Sequence, residues 1–201
     1  MPDDTITIAD GRARCLWAAR EPETTYHDTE WGFPIAGDTA LFERVCLEGF
    51  QSGLSWRTIL IKRENFRAAF AGFDIERVAR FTDADVARLL ADAGVIRHRG
   101  KIEASINNAR RAVELIDEQG SLESYFWKYA PAGDHVPGSM TTSPESLALS
   151  KDLKKRGWRF VGPTTMFALM QATGMVNDHA YGCVIREDVE AALREAGLHK
   201  L

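Results

Sequence analysis

The chain has 201 residues, 45% of them hydrophobic, and a formal net charge of -4. That length supports one domain over residues 1–201 with a substantial core. The charge excludes a global positive field, so basic groups that meet nucleic acid must be gathered on one face.

Residues 1–12 read as a loose lead-in. Asp3, Asp4 and Asp10 leave no basic stretch ahead of an apolar run, so no signal peptide is expected. No apolar run approaches membrane-spanning length, and the expected compartment is cytoplasmic. Cys15-Leu16-Trp17 and Tyr26-His27-Asp28-Thr29-Glu30-Trp31-Gly32 crowd indoles, a phenol, a thiol and an imidazole into a segment with little periodicity. Such a segment reads as a packed wall. From Asp38 the pattern is helical almost to the end, and strand-like alternation is nearly absent. A helix over 38–51, with Asp38 as N-cap, puts Leu41, Phe42, Val45 and Cys46 on a buried stripe. Further helices are predicted over 55–70, from Asp74 to about Phe81, and from a capping box at Thr82 and Asp85 to a stop at Gly94. Ile102, Ile106, Ala109, Val113 and Ile116 mark the next, ended by Gly120. Ser121 caps a short helix stopped by Pro131, and 131–143 is a breaker-rich surface loop. Ser143-Pro144 opens a helix to Arg156, and Pro163 opens one to about Thr173.

Glu48 falls on the apolar stripe. A carboxylate there is costly to bury unless it is paired or accepts hydrogen bonds. Two readings stand: an acid at the stripe's edge, salt-bridged to a neighbouring Arg, or a pocket acid that waits for a ligand with donors. Gly49 and Gly53 leave room beside it, and Trp56 offers a broad π-face. Between Arg156 and Pro163, Gly157-Trp158-Arg159-Phe160-Val161-Gly162 has the layout of a helix-hairpin-helix. Gly157 and Gly162 let the backbone approach a partner, and the second helix's N-terminus suits a phosphate. Lys151, Lys154, Lys155 and Arg156 lie nearby. An ordinary helical hairpin with a solvated basic face is the alternative. Arg97-His98-Arg99-Gly100-Lys101 is a second basic connection between helices.

Three cysteines, an odd number, argue for reduced thiols or metal ligands rather than disulfides. His179 and Cys183 are spaced for one face of a helical turn. Cys15 and His27 are the only comparable pair elsewhere. Together they make a Cys2His2 set, the ligand type of one structural zinc that clasps the chain ends and leaves no position for an activated water. Cys46 remains a small core residue.

The motifs Cys15-Leu16-Trp17, Tyr26 to Gly32, Cys46-Leu47-Glu48-Gly49, Gly53-Leu54-Ser55-Trp56, Ala93 to Lys101, Lys154-Lys155-Arg156-Gly157, Phe160-Val161-Gly162 and Val176-Asn177-Asp178-His179 together resemble 3-methyladenine DNA glycosylase I. The resemblance covers about residues 13–184 and leaves 186–201, with Val189, Ala192 and Leu193, as an extra helical tail. It implies an all-α helix-hairpin-helix DNA glycosylase fold, with Cys15, His27, His179 and Cys183 as the zinc ligands. It also implies a monomer that acts on alkylated double-stranded DNA. By motif match, Glu48 and Tyr26 contact the damaged base, with Glu48 as the catalytic group and Trp56, Trp17 and Trp31 as aromatic walls. Leu54, before Trp56, is the candidate wedge that fills the gap left by a flipped nucleotide. Bifunctional relatives carry a Lys early in the second hairpin helix. Here those positions are Pro163, Thr164 and Thr165, which points to base release to water without strand cleavage. Asp178 is either catalytic or an orienting group beside a metal ligand. The competing class is a non-enzymatic zinc-stabilised module that binds DNA or a purine. Release of free base from alkylated duplex DNA separates the two. A zinc hydrolase would need three ligands and an open position.

Overall fold

A computed structural model describes residues 4–133 and 135–198. The apolar stripe forms α2 (Asp38–Gln51), which is buried on every side over Leu41–Phe50. A helix buried all round is a core element. Around it pack α3 (Trp56–Ala69), α6 (Arg99–Gln119), α7 (Leu122–Phe126) and α9 (Pro163–Ala172). Phe50 and Phe66 meet with ring centroids 4.6 Å apart, and Phe70 stacks on Phe73 at 5.5 Å. These fully buried rings supply much of the core's apolar contact. Outside this layer, α4 (Ile75–Ala79) and α5 (Asp83–Ala91) lie on α6, and α8 (Pro144–Lys155) packs antiparallel-fashion beside α9 through a short turn.

The helix boundaries follow local chemistry. Ser55 Oγ accepts from the Thr58 amide at the start of α3, and Thr82 with Asp85 forms the expected capping box of α5. Ser143 and Ser146 cap α8 reciprocally, with Pro144 in its first turn. Gly120, at φ 86°, ends α6.

Several expectations change. Asp38 does not cap its own helix; Gly37 takes that position, and the Asp38 carboxylate accepts from the amides of Leu122 and Glu123, capping α7 from across the fold. The lead-in contains β1 (Thr5–Thr7), paired antiparallel with β2 (Ala13–Cys15); residues 1–3 lie outside the described residues. Strands of three residues are too short to show alternation in sequence. The fold is therefore mostly helical with one small β-ribbon. The Trp-rich segment is itself partly helical, as α1 (Glu23–Thr29). Helix α5 ends at Ala91 rather than at Gly94, because the Asp92 carboxylate accepts from the Gly94 amide and turns the chain. The tail forms α10 (Arg186–Glu195); residues 199–201 lie outside the described residues.

A second, smaller core gathers Cys15, Ala180, Cys183, Ile185, Val189 and Leu193, with Trp31 and Phe33 against it. Helix α10 closes this core through Val189 and Leu193. Gly174, at φ 78°, makes the junction possible: a Cβ there would lie 2.4 Å from the Gly32 carbonyl oxygen. The chain after α9 is thereby laid against the chain after α1.

Candidate active site and metal clasp

One cavity of about 610 Å³ opens between α1, the N-terminal turn of α3, α2 and the chain after α9. Its lining includes Trp17, Tyr26, Trp31, Glu48 and Trp56, the acid and aromatic residues singled out in the sequence. Tyr26 and Trp56 meet at 5.2 Å between centroids, and Trp17 and Trp31 stand edge to face at 5.0 Å. Helix α2 delivers Glu48 to the cavity floor, where it is 5% exposed. Among the described residues no donor reaches its carboxylate, so the salt-bridged reading of Glu48 does not apply. Burial pushes its pKa up to about 7, with the Arg44 charge pulling the other way. Gly49 does not serve this pocket. It faces Phe160 of the α8–α9 turn, 3.5 Å from where a Cβ would stand.

The far wall is a feature the sequence did not reveal. Asp178 Oδ1 accepts from His135 Nε2 at 2.5 Å and from the Gly138 amide at 2.8 Å, while Oδ2 accepts from Gln171 Nε2 at 2.5 Å. These bonds pin the 135–138 stretch of the breaker-rich loop to α9, so Pro137 and Gly138 become lining residues. Asp178 thus holds this wall together, its carboxylate accepting three hydrogen bonds while it lines the cavity.

Beside the cavity, Cys15, His27, His179 and Cys183 are all buried, and their ligand atoms lie within 4.8 Å of one another. His179 Nδ1 is 3.1 Å from His27 Nε2, and Cys183 Sγ is 3.4 Å from each of these nitrogens. The outward nitrogens are tied down. His27 Nδ1 donates to Asp28 Oδ1 at 2.8 Å, and His179 Nε2 donates to the Trp31 carbonyl at 2.9 Å. Such bonds fix each ring so that its other nitrogen offers a lone pair to the centre. Desolvation acts to raise the Asp28 pKa, but bonds from Arg14 and His27 hold it below the ordinary carboxylate range. The Cys183 thiol is held far down by the Cys15 thiol and the two imidazoles, and Cys15 is pushed up by that same neighbour and by burial. Two soft sulfurs and two oriented imidazoles around one centre fit a tetrahedral metal ion. His179 and Cys183 reach it from a turn rather than a helix, closed by the Cys183 amide donating to the Ala180 carbonyl at 2.9 Å.

The basic face is narrower than its sequence suggests. Lys151, Lys154 and Lys155 are exposed and carry no ion pair among the described residues. Arg156 is engaged by Glu118 and Asp152. Lys101 turns inward and is 6% exposed. Its Nζ donates to the carbonyls of Phe50 and Ser52 at 2.9 and 2.5 Å, capping the C-terminus of α2. In the α8–α9 turn Gly157 has φ 82°, but Gly162 has an ordinary extended backbone as the N-cap of α9, and the second left-handed residue is Phe160 at φ 55°. Asn108 holds this turn with both ends of its amide, donating to the Arg159 carbonyl and accepting from the Arg159 amide, each at 2.8 Å. Leu54 stands at the α2–α3 turn, 40% exposed.

By fold and site, this is a helical protein with an aromatic pocket built around a desolvated, unpaired acid, suited to a flat ligand that carries donors or positive charge. The family model for methyladenine glycosylase matches residues 17–187. The chain is 48% identical over 177 residues to DNA-3-methyladenine glycosylase 1 of Escherichia coli K12, covering 85% of this chain and 95% of that protein. A crystal structure of 3-methyladenine DNA glycosylase I superposes with a TM-score of 0.80 at 45% identity, covering 85% of this chain and 98% of the other. A structure describing 3-methyladenine recognition by the Staphylococcus aureus glycosylase superposes with a TM-score of 0.81 at 34% identity, over 86% of this chain and 95% of that one. The chain belongs to the methyladenine glycosylase family.

Proposed function

We propose that this protein is a monofunctional DNA glycosylase that flips 3-methyladenine out of alkylated double-stranded DNA and releases it to water. The observation that carries this reading is the unpaired, desolvated Glu48 lining one cavity with the Tyr26 and Trp56 rings. A 3-methylated adenine in DNA is cationic. When the N-glycosidic bond breaks, its electron pair goes to the base, which leaves neutral without an added proton. Water then adds to the sugar carbon and gives up a proton. The protein's task is to hold the cationic base while the sugar becomes an oxocarbenium ion. Aromatic faces attract a cationic π-system, and an ionised Glu48 accepts from the exocyclic amine and complements the charge. Tyr26 offers an O–H whose proton has no acceptor among the described residues. An acceptor beside a donor matches adenine's 6-amine beside N7, whereas guanine presents two acceptors, O6 and N7, on that edge.

The α8–α9 turn serves as a helix-hairpin-helix that meets phosphates through Lys154, Lys155 and the backbone at Gly157 and Gly162, with Leu54 as the wedge. Pro163, Thr164 and Thr165 offer no amine for a Schiff base, which supports release without strand cleavage. The metal is one zinc, held by Cys15, His27, His179 and Cys183; it clasps the chain ends and takes no part in hydrolysis. The protein acts as a monomer in the cytoplasm. Incubation with methylated duplex DNA, followed by chromatography of the released bases and a denaturing gel of the DNA, tests the reading. Free 3-methyladenine with an unbroken strand supports it, and binding without any released base overturns it.

A further inference from the structure

Arg44 lies on α2 one helical turn before Glu48 and is 2% exposed. It does not line the cavity. It sits behind the wall, its guanidinium carbon 5.0 Å from the Tyr26 ring centroid and 5.8 Å from that of Trp56. Its Nη1 donates to Tyr26 Oη, and its Nη2 donates to Glu30 Oε2 at 3.3 Å. Glu30 is held in turn by Arg63 at 2.6 Å, Arg63 by Glu43 at 2.7 Å, and Glu43 by Arg67 at 2.9 Å. A chain of alternating charges thus runs from the surface to the back of the pocket and braces Arg44.

This bracing constrains one proton. A phenol oxygen carries one hydrogen and accepts through its lone pairs, whereas a guanidinium has donors only. With Arg44 donating to Oη, the Tyr26 hydrogen must point away from Arg44. Among the described residues nothing takes it, and the open side is the cavity. We propose that Arg44 is a positioning residue that fixes Tyr26 as a hydrogen-bond donor toward the ligand, so that Tyr26 and Glu48 together select an amine-bearing purine edge. This inference rests on the base-excision reading. Without Arg44 the phenol is free to rotate and to accept, and it tolerates a ligand edge that it now rejects.

A second consequence concerns Glu48. The charged or titratable groups that line its cavity are Tyr26 and Glu23 from α1, Arg57 from α3, Asp178 after α9, Asp4 from the N-terminal segment and Cys15 from β2, with Arg44 of its own helix behind the wall. Arg44 acts on the Glu48 charge and favours the ionised form. Removing it moves the ionisation of Glu48 to higher pH.

The test is a double-mutant cycle of Arg44→Met and Tyr26→Phe, read by single-turnover excision of 3-methyladenine and 3-methylguanine from alkylated DNA across pH. In the wild-type background Arg44→Met slows 3-methyladenine excision roughly tenfold, as for one misdirected hydrogen bond. It also narrows the preference over 3-methylguanine and moves the acid limb up. In the Tyr26→Phe background it leaves the preference unchanged and shifts only the acid limb. Arg44→Lys keeps the cation and is also a donor without an acceptor, so it holds the acid limb and retains the preference. Arg44→Gln, whose amide accepts as well as donates, narrows the preference and carries the cycle if Arg44→Met does not fold. Equal losses in both backgrounds with an unmoved preference overturn the proposal while base excision stands. A wild-type protein that releases no base overturns the underlying reading and the proposal with it.

Discussion

The cavity and the clasp lie side by side, and both bury ionisable groups. They differ in what stands behind those groups. In the clasp each ring has a partner at its back: Asp28 for His27 and the Trp31 carbonyl for His179. The four donor atoms then converge on one another. In the cavity, Glu48 accepts no hydrogen bond from any described residue, and its pKa is pushed up to about 7 by burial. A buried polar set with its outer bonds satisfied is a stabilising device once a cation sits at its centre. A buried acid with none is held at a cost that a ligand must offset. The contrast separates a structural centre from a binding one more sharply than residue type does, since Glu, His and Cys serve equally well in either.

The largest effect expected from breaking this contrast is on the clasp. Cys183→Ser removes one of four ligands, and a structural zinc site is worth on the order of 10 kcal/mol in small domains. Loss of several kcal/mol should lower the melting temperature by roughly 10 °C or more. Metal analysis and melting curves check this; a variant that melts like the wild type would mean that the four donors hold no structural ion.

Glu48→Gln should do the opposite at neutral pH. The folded pKa of about 7 lies above the ordinary value of 4.5, so the folded state binds more protons between those values. Stability from this group is therefore present at acid pH and is lost as pH rises toward 7 and above. The Gln variant should match the wild type near pH 4.5 and exceed it by roughly 3 kcal/mol at pH 8, an upper figure. Urea unfolding of both proteins at the two pH values reads the difference, and the clasp's own pH dependence cancels in it. A less stable Gln variant at pH 8 would mean that Glu48 is paired after all.

Two lysines sharpen the comparison further. Lys101 caps the C-terminus of α2, so Lys101→Met should cost about 1–2 kcal/mol of stability and leave the salt dependence of DNA binding unchanged. Lys154→Ala with Lys155→Ala should do the reverse. Stability holds, while the slope of log affinity against log salt falls by roughly 2 and nonspecific binding weakens across all sequences. Equal slopes in the two variants would dissociate the α8–α9 turn from the phosphates.

Much of this arrangement is legible in the sequence, for identifiable reasons. The apolar stripe of α2 shows through its helical spacing, and Glu48 stands out because it interrupts that stripe. Ser55, Thr82 and Ser143 announce helix starts through short-range hydrogen bonds that depend only on neighbours in sequence. The four clasp donors can be paired by type, although the turn that carries His179 and Cys183 reads as helix because both share the same spacing. What stays hidden is long-range. Arg44 looks like an interruption of the stripe until Tyr26, Glu30 and Arg63 arrive from other helices. Lys101 reads as surface charge in a basic run, and only the tertiary placement of the α2 C-terminus turns it inward. The left-handed backbone at Phe160 has no local signal, because residues other than Gly rarely adopt it, and the bonds that hold the turn beside it come from Asn108 of α6 to the neighbouring Arg159.

In the proposed mechanism an ionised Glu48 in the cavity drives base release. Single-turnover excision of 3-methyladenine from alkylated duplex DNA, measured from pH 5.5 to 8.5 for the wild type and Glu48→Gln, tests it most directly. In the wild type the rate at subsaturating protein should rise with an apparent pKa near the value of about 7 set by burial. The Gln variant should be slower by about tenfold to a thousandfold above that pH and show no such limb. A well-folded Gln variant that excises at the wild-type rate, or one that keeps the same acid limb, would contradict the claim.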